Sequence, residues 1–370
     1  MISIAVENLF DGHAIVRHAT VVVDGAKVVS VTTSGAVARD CDYTAAWMTP
    51  GLIDLNSGIG LKEEALGFEG NDLNEATDAV TPELQAADGL NPYDVSLVKS
   101  VAGGVTSALV LPGSANVIGG RGAVVHTAGS TVTDMLIKAP FGMKFSLGND
   151  PKQTHGQKRT PMTRMGSAYL IRDALTKARE YREKKKEYSM KSEALLPLLA
   201  GQDVAFFEAL RADDVMTAVR LAEEFGLRYV VTGASGADLV ADQLAAKGTA
   251  VAFGPIIMSR SSDETRRLRP ETAAALMRSG TRTAIISGHP EYPAKYLRIS
   301  LGLLIGRGIS PEQALASATR VPAEMLGLSG YGTVCPGSVA DLALFTADPW
   351  EPEGVVERTF ISGKEVYSAR

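Results

Sequence analysis

Residues 48–61 read MTPGLIDLNSGIGL. Pro50-Gly51 is a turn signal, and Leu52 to Leu55 form a short apolar run that stops abruptly at Asn56, Ser57 and Gly58. A run this short, bounded by turn residues, has the form of a strand covered on both faces, as strands of a parallel sheet are. The run is made for burial, yet its end carries only small uncharged residues.

The pattern repeats along the chain. VTSALVL (105–111), FGMKFSL (141–147), DVAFFEA (203–209), LRYVVTG (227–233), TAVAFGP (249–255) and TRTAIIS (281–287) are further short apolar runs. Between the later ones lie ADDVMTAVRLAEEFG, ADLVADQLAAKG and PETAAALMRSG. Their apolar residues recur near i, i+3 and i+4, and they stop at Gly226, Gly248 and Gly280. Buried parallel strands joined by crossover helices predict an α/β fold. With one more strand in GGRGAVVHTAG the count reaches eight, which favours a (β/α)8 TIM-like barrel over a doubly wound sheet.

The two ends read differently. Residues 1–47 contain ISIAVENLF, HATVVVDGAKVVSVT and DYTAAWMT, with a turn at Asp24-Gly25; GSVADLALFT and VVERTFISGKEVYS follow residue 335, with a hairpin signal at Ser362-Gly363. We therefore expect residues 1–47 and 335–370 to meet in one small β-sandwich domain, discontinuous in sequence, around a barrel of residues 48–334.

Composition narrows the function classes. The 370 residues are 45% hydrophobic and 21% charged with net charge −5, ordinary for a globular protein. The one basic cluster, REYREKKK at 179–186, is interleaved with acids and reads as a solvated helix face, so no nucleic acid partner is expected. Cys41 and Cys335 provide neither zinc spacing nor a disulfide framework. The N-terminal residues lack the pattern of a signal peptide and no apolar run reaches the ~20 residues of a membrane span; the expectation is cytoplasmic, with no membrane partner.

Several stretches carry a resemblance: PGLID (50–54), GGVTS (103–107), LPGSANVIGGRGAVVHTAG (111–129), GMKFSLGNDPK (142–152), TPMTRMG (160–166), RADD (211–214), GHP (288–290) and PGSVADLALF (336–345). In this order, over nearly the whole chain, they resemble the amidohydrolase superfamily, in particular its imidazolonepropionase-like branch. The resemblance implies one or two divalent metals at the C-terminal mouth of the barrel. Their usual ligands are a His-x-His after strand 1, a Lys or Glu on strand 4, a His on each of strands 5 and 6, and an Asp on strand 8. Such a metal lowers the pKa of a bound water, which then attacks a C–N centre.

On those positions this sequence places Asn56 and Gly58, Lys144, Glu208, Gly233 and Gly288. Glycine has no donor, Asn56 is a poor zinc ligand, and a zinc site needs about three protein ligands. The expectation is therefore no metal and no cofactor. Three side chains remain as catalytic candidates at the mouth: Glu208, Lys144 and His289. A carboxyl in a dry pocket is a candidate general base; Glu208 is equally suited to pair with Lys144, since either charge buried alone is costly. Asp238 fits a first-turn helix acid, Ser57 and Ser287 lack an evident His and Asp, and Thr232 is a further position where an unexpected ion would have to find a donor.

The expected function is an amidohydrolase-like subunit or scaffold without catalysis, partnering an active amidohydrolase paralogue in a hetero-oligomer or assembling with itself. The alternatives are a metal-independent hydrolase of C–N bonds in a small cyclic amide, using Glu208, Lys144 or His289, and a small-molecule-binding protein.

Overall fold

A computed structural model describes residues 1–38, 40–157, 160–184, 187–260 and 262–369. Four strands open the chain: β1 (Ile2–Phe10), β2 (Ile15–Asp24), β3 (Lys27–Thr33) and β4 (Tyr43–Pro50). Eight more build the barrel: β5 (Leu52–Ser57), β6 (Val105–Val110), β7 (Ile118–His126), β8 (Leu136–Ser146), β9 (Ala205–Ala209), β10 (Tyr229–Gly233), β11 (Ala250–Phe253) and β12 (Arg282–Ile285). The chain returns to the first sheet through β13 (Leu342–Phe345), β14 (Val356–Ile361) and β15 (Lys364–Ser368).

The two groups of terminal strands lie side by side in one seven-stranded sheet, order β15-β14-β13-β4-β1-β2-β3. Its join is the β4–β13 ladder, Pro50 against Leu342 through Trp47 against Phe345. The hairpins form as their turn residues predict: Gly25, Ser362 and Gly363 all have positive φ, which tight two-residue turns demand. Apolar residues alternate between a core of the sheet's own (Ile4, Val6, Met48, Leu344) and residues packed onto the barrel, among them Trp47, set edge-on to Trp350 at 5.3 Å.

The eight barrel strands lie side by side in sequence order. Period-two alternation sorts their side chains. Ile53, Leu109, Val124, Phe141, Phe206, Val230, Ala252 and Ala284 form one buried cluster inside. Phe207, Val231, Val251 and Ile285 pack outward with apolar residues of the surrounding helices. Gly226, in the left-handed conformation, stops the helix Ala212–Phe225 as expected.

The expected eight-stranded barrel is present, with one departure from the parallel pattern. The strand in GGRGAVVHTAG runs antiparallel to both neighbours, β6 and β8, so the barrel is not a strict eightfold β/α repeat. The connection from Val110 to Ile118 is too short to hold a crossover helix, and a short link returns antiparallel. The basic cluster at 179–186 is only partly described: its helix runs to Lys184, and Lys185 and Lys186 lie outside the described residues.

No ladder joins β12 to β5. The seam is closed by other bonds. The carbonyls of Ser317 and Ala318 accept from Ile285 N and Ile53 N, and Ser287 N and Oγ both donate to the carboxylate of Asp54. Asp54 is completely buried, and burial pushes its carboxyl up to about 6 despite the Ser287, Ser57 and Asn56 hydrogen bonds that favour its charge.

A candidate site at the barrel mouth

At the C-terminal ends of the strands lies a cavity of about 610 Å³, and the structure brings Asn56, Gly58, Lys144, Glu208, Gly233, Gly288 and His289 together on its wall. The period of the strands explains their convergence. Phe206 belongs to the interior cluster, so Glu208, two residues on, also points inward but one layer nearer the mouth. Thr232 sits in register with Glu208, fully buried, without a hydrogen-bond partner for Oγ1 among the described residues, and off the cavity wall.

Lys144 and Glu208 meet at 2.5 Å, and Ser114 Oγ donates to the same Glu208 oxygen at 2.6 Å. The lysine side chain is 2% exposed and the glutamate 21%, the latter through the open cavity. Burial pushes the Glu208 carboxyl up, but the Lys144 ammonium and the hydrogen bonds from Lys144 and Ser114 outweigh it and hold it below its ordinary value. A carboxylate so held is a weak proton acceptor.

His289 is buried, with neither ring nitrogen in a hydrogen bond of good geometry. Burial lowers its pKa, and the nearby Asp94 and Glu64 charges and the Lys62 backbone do not compensate, so the ring is held neutral. Its carbonyl accepts from Gly58 N at 2.8 Å, adding to the seam.

The remaining sequence candidates, Ser287, Ser57 and Asp238, have structural partners. Ser287 serves Asp54, Ser57 Oγ accepts from Ile59 N at 3.3 Å, and Asp238 forms a two-pronged bond with Arg267 at 3.0 and 2.6 Å rather than only starting a helix. His126 lies 3.3 Å from Asp341, and His155 contacts Asn116 at 3.0 Å. His18 lies in β2 of the terminal sheet, and His13 just before it.

Sequence reasoning missed three carboxylates of the mouth: Asp150, Glu264 and Glu291. Partial burial and the charges of Glu208 and Glu264 push Asp150 up to about 6. Burial likewise raises Glu264 and Glu291. Glu264 is gripped by Arg164, whose Nε also holds Asp214 at 2.9 Å. Two stretches noted in sequence, TPMTRMG and RADD, are thereby tied together.

The residues present do not fit the metal set that the family resemblance implies. Among the described residues no three His, Cys, Asp or Glu side chains are arranged to hold a metal ion. At three of the ligand positions a side chain would meet a neighbour that has to give way. A Cβ on Gly58 would stand 2.6 Å from Leu73 Cδ2, one on Gly233 2.7 Å from Leu210 Cδ2, and one on Gly288 2.8 Å from Pro255 Cδ. Gly233 and Gly288 also have φ of +78° and +63°, where other residues are strained. Lys144, the fourth, spends its nitrogen on Glu208.

An eight-stranded barrel with its cavity at the strand ends, backed by a sheet built from both terminal segments, is the architecture of the amidohydrolase fold. The chain belongs to the amidohydrolase family: it is 36% identical to an amidohydrolase from Thermotoga maritima MSB8, with TM-score 0.93 over 99% of this chain and 100% of that one. The family's sequence model matches residues 293–366. The amidohydrolase tasK of Hapsidospora irregularis is 28% identical over 339 residues, covering 82% of this chain; the chain spans about a third of that relative's length, 34%. A prolidase solved with N-methylphosphonate-L-proline, 16% identical, shares the fold at TM-score 0.62 over 99% of this chain and 100% of that one.

Proposed function

We propose that this chain does not carry out metal-assisted hydrolysis and acts as a non-catalytic amidohydrolase-like subunit that keeps the barrel mouth as a pocket for a small molecule. The observation that supports this most is the Lys144–Glu208 pair at the cavity wall: it fills, with an internal ion pair, the place where the family's resemblance puts metal charge. The neighbours that close on Gly58, Gly233 and Gly288 support it too, because a ligand side chain regained there needs Leu73, Leu210 or Pro255 to give way. Partnering with an active paralogue is part of this reading.

Two measurements test it. Elemental mass spectrometry of protein expressed with zinc, manganese, iron and nickel is expected to give well below one equivalent of metal; one or two equivalents would sink the proposal. Native mass spectrometry after co-expression with a His-containing paralogue is expected to show a mixed oligomer.

A second reading, metal-independent hydrolysis of a small cyclic amide, is favoured by Asp150. Its carboxyl, raised to about 6, is suited to proton transfer near neutral pH, as Glu208 in its ion pair is not. Turnover of dihydrouracil or hydantoin by the metal-free protein, abolished by Asp150→Asn, would establish it.

A further inference from the structure

Two stretches at the rim of the barrel mouth hold large apolar side chains out in water. The first is the loop that follows β5. Phe68 at its tip is 93% exposed, and Leu66 beside it is exposed as well. The loop is braced beneath them. Glu63 N donates to the Gly70 carbonyl at 2.8 Å, Lys62 bridges to Asn71, and Lys62 Nζ donates to the carbonyls of Leu66 and Gly67 at 3.4 and 3.5 Å. Ala65 takes a φ of +66°, in the left-handed region that is uncommon for a residue with a Cβ. An aromatic ring held in the open by a tied loop has the form of an interface anchor.

The second stretch enters the helix Arg164–Lys184. Met165 and Tyr169, four residues apart, share one helix face, and Met162 lies just before the helix starts. All three are exposed, Met165 at 79%. Methionine and aromatic side chains are the ones enriched where proteins meet, and methionine adapts its shape to what covers it. Both stretches sit at the same end of the barrel. Gly58 and Leu73, on either side of the first, line the cavity, and the groove beside Met162 shares Asn149 and Gln153 with the cavity wall.

Their charges are opposite. Residues 62–78 hold one base, Lys62, against six acids: Glu63, Glu64, Glu69, Asp72, Glu75 and Asp78. Residues 150–165 hold four bases, Lys152, Lys158, Arg159 and Arg164, against one acid, Asp150; Lys158 and Arg159 lie outside the described residues. Some of these charges are matched within the chain: Glu64 by Lys99, Asp78 by Lys191, and Arg164 by Asp214 and Glu264. Glu69 and Asp72 on the one side and Lys152 on the other form no ion pair among the described residues. Two patches of opposite charge on one rim complement a second copy of that rim. A two-fold axis lying across the mouth, midway between them, lays each patch on the other patch of the partner, whereas acid loop against acid loop is repelled.

We propose that this rim is an interface between two copies of this chain, packed mouth to mouth. The Phe68 loop of each copy covers the Met162, Met165 and Tyr169 surface of the other, and Glu69 and Asp72 meet Lys152. The two cavities then open toward each other.

The test uses the full chain. Sedimentation equilibrium measures self-association of the wild type, of Phe68→Ser, of the double variant Glu69→Lys with Asp72→Lys, and of Lys152→Glu. The wild type is expected to be a dimer at micromolar concentration that weakens as salt is added, and each variant is expected to dissociate at least tenfold more readily. The two charge variants then decide the geometry. Alone, each sets like charges against each other at both contacts. Mixed, one contact has the wild-type pair and the other the same pair reversed, so a one-to-one heterodimer of near wild-type affinity is expected. Its formation also shows that both charge variants are folded, and near-UV circular dichroism checks Phe68→Ser. The proposal is overturned if the wild type sediments as a monomer, if its dimer is unmoved by Phe68→Ser or by the charge variants, or if the mixed charge variants stay apart.

Discussion

Breaking the Lys144–Glu208 pair from its two sides should have unequal effects. Glu208→Leu leaves an ammonium that is 2% exposed without its counter-ion, a situation that costs about 3–5 kcal/mol. Lys144→Met leaves a carboxylate that is 21% exposed, reached by water through the cavity and still bonded to Ser114, and costs about 1–2 kcal/mol. The double variant has no stranded charge, so its cost should lie near that of Lys144→Met, giving a coupling energy of about 3–5 kcal/mol. Equilibrium urea unfolding at pH 7, followed by circular dichroism, measures all four proteins. The acid limb gives a second reading. Glu208 has a folded-state pKa below its unfolded value, so its contribution is present above the unfolded pKa and is lost as pH falls through the folded one. That loss should be present in the wild type and absent from Lys144→Met. Additive single variants, with coupling under about 0.5 kcal/mol, would show that the contact carries no energy and that the ion-pair account of the mouth is wrong.

Further outcomes follow from the same geometry. Gly288→Asp, which restores the family's acid, should bind no metal and should destabilise by about 1–3 kcal/mol, since its Cβ meets Pro255 and its φ is +63°; calorimetry with and without added zinc checks both. Asp54 has a folded pKa of about 6, above its unfolded value, so the wild type should lose up to roughly 3 kcal/mol as pH rises from below 4 through 6. Asp54→Asn should lack this and gain relative to the wild type over that range, as seen in unfolding midpoints at pH 4.5 and 7. Arg164→Ala strands Asp214, whose side chain is 4% exposed, and should cost about 3–5 kcal/mol in the same assay, with much of that recovered by adding Asp214→Asn.

The barrel was legible because its strands are short apolar runs between helices with clear glycine stops, and the terminal sheet because its turns carry glycine where φ must be positive. The direction of β7 was not, since GGRGAVVHTAG shows the alternation of a strand and nothing of its orientation. The convergence of Asn56, Lys144, Glu208 and the glycines on one cavity was expected from the family resemblance, which places them at the ends of barrel strands. Asp150, Glu264 and Glu291 could not be placed there, because each is an acid beyond the strand ends, Asp150 opening a short helix and the other two in loops, with neighbours distant in sequence. Asp54 did offer a signal, a carboxylate inside an apolar strand, but its partner Ser287 lies 233 residues away and only the closed barrel puts them together. Arg164 and its two acids are likewise separated by 50 and 100 residues.

The ladder between β4 and β13 has a consequence for how the protein is made. Roughly 290 residues separate these strands, and at about 5–20 residues per second a ribosome needs on the order of 15–60 s to deliver β13 after β4 has emerged. Throughout that interval the β4 edge carries unpaired amides and carbonyls beside Trp47 and Met48, a surface to which another nascent chain can add a strand. Completion of the barrel in the meantime brings the future partner strand into place, so the sheet closes last. Substitutions that slow the barrel should therefore surface first as aggregation through the terminal sheet, at residues far from the change itself.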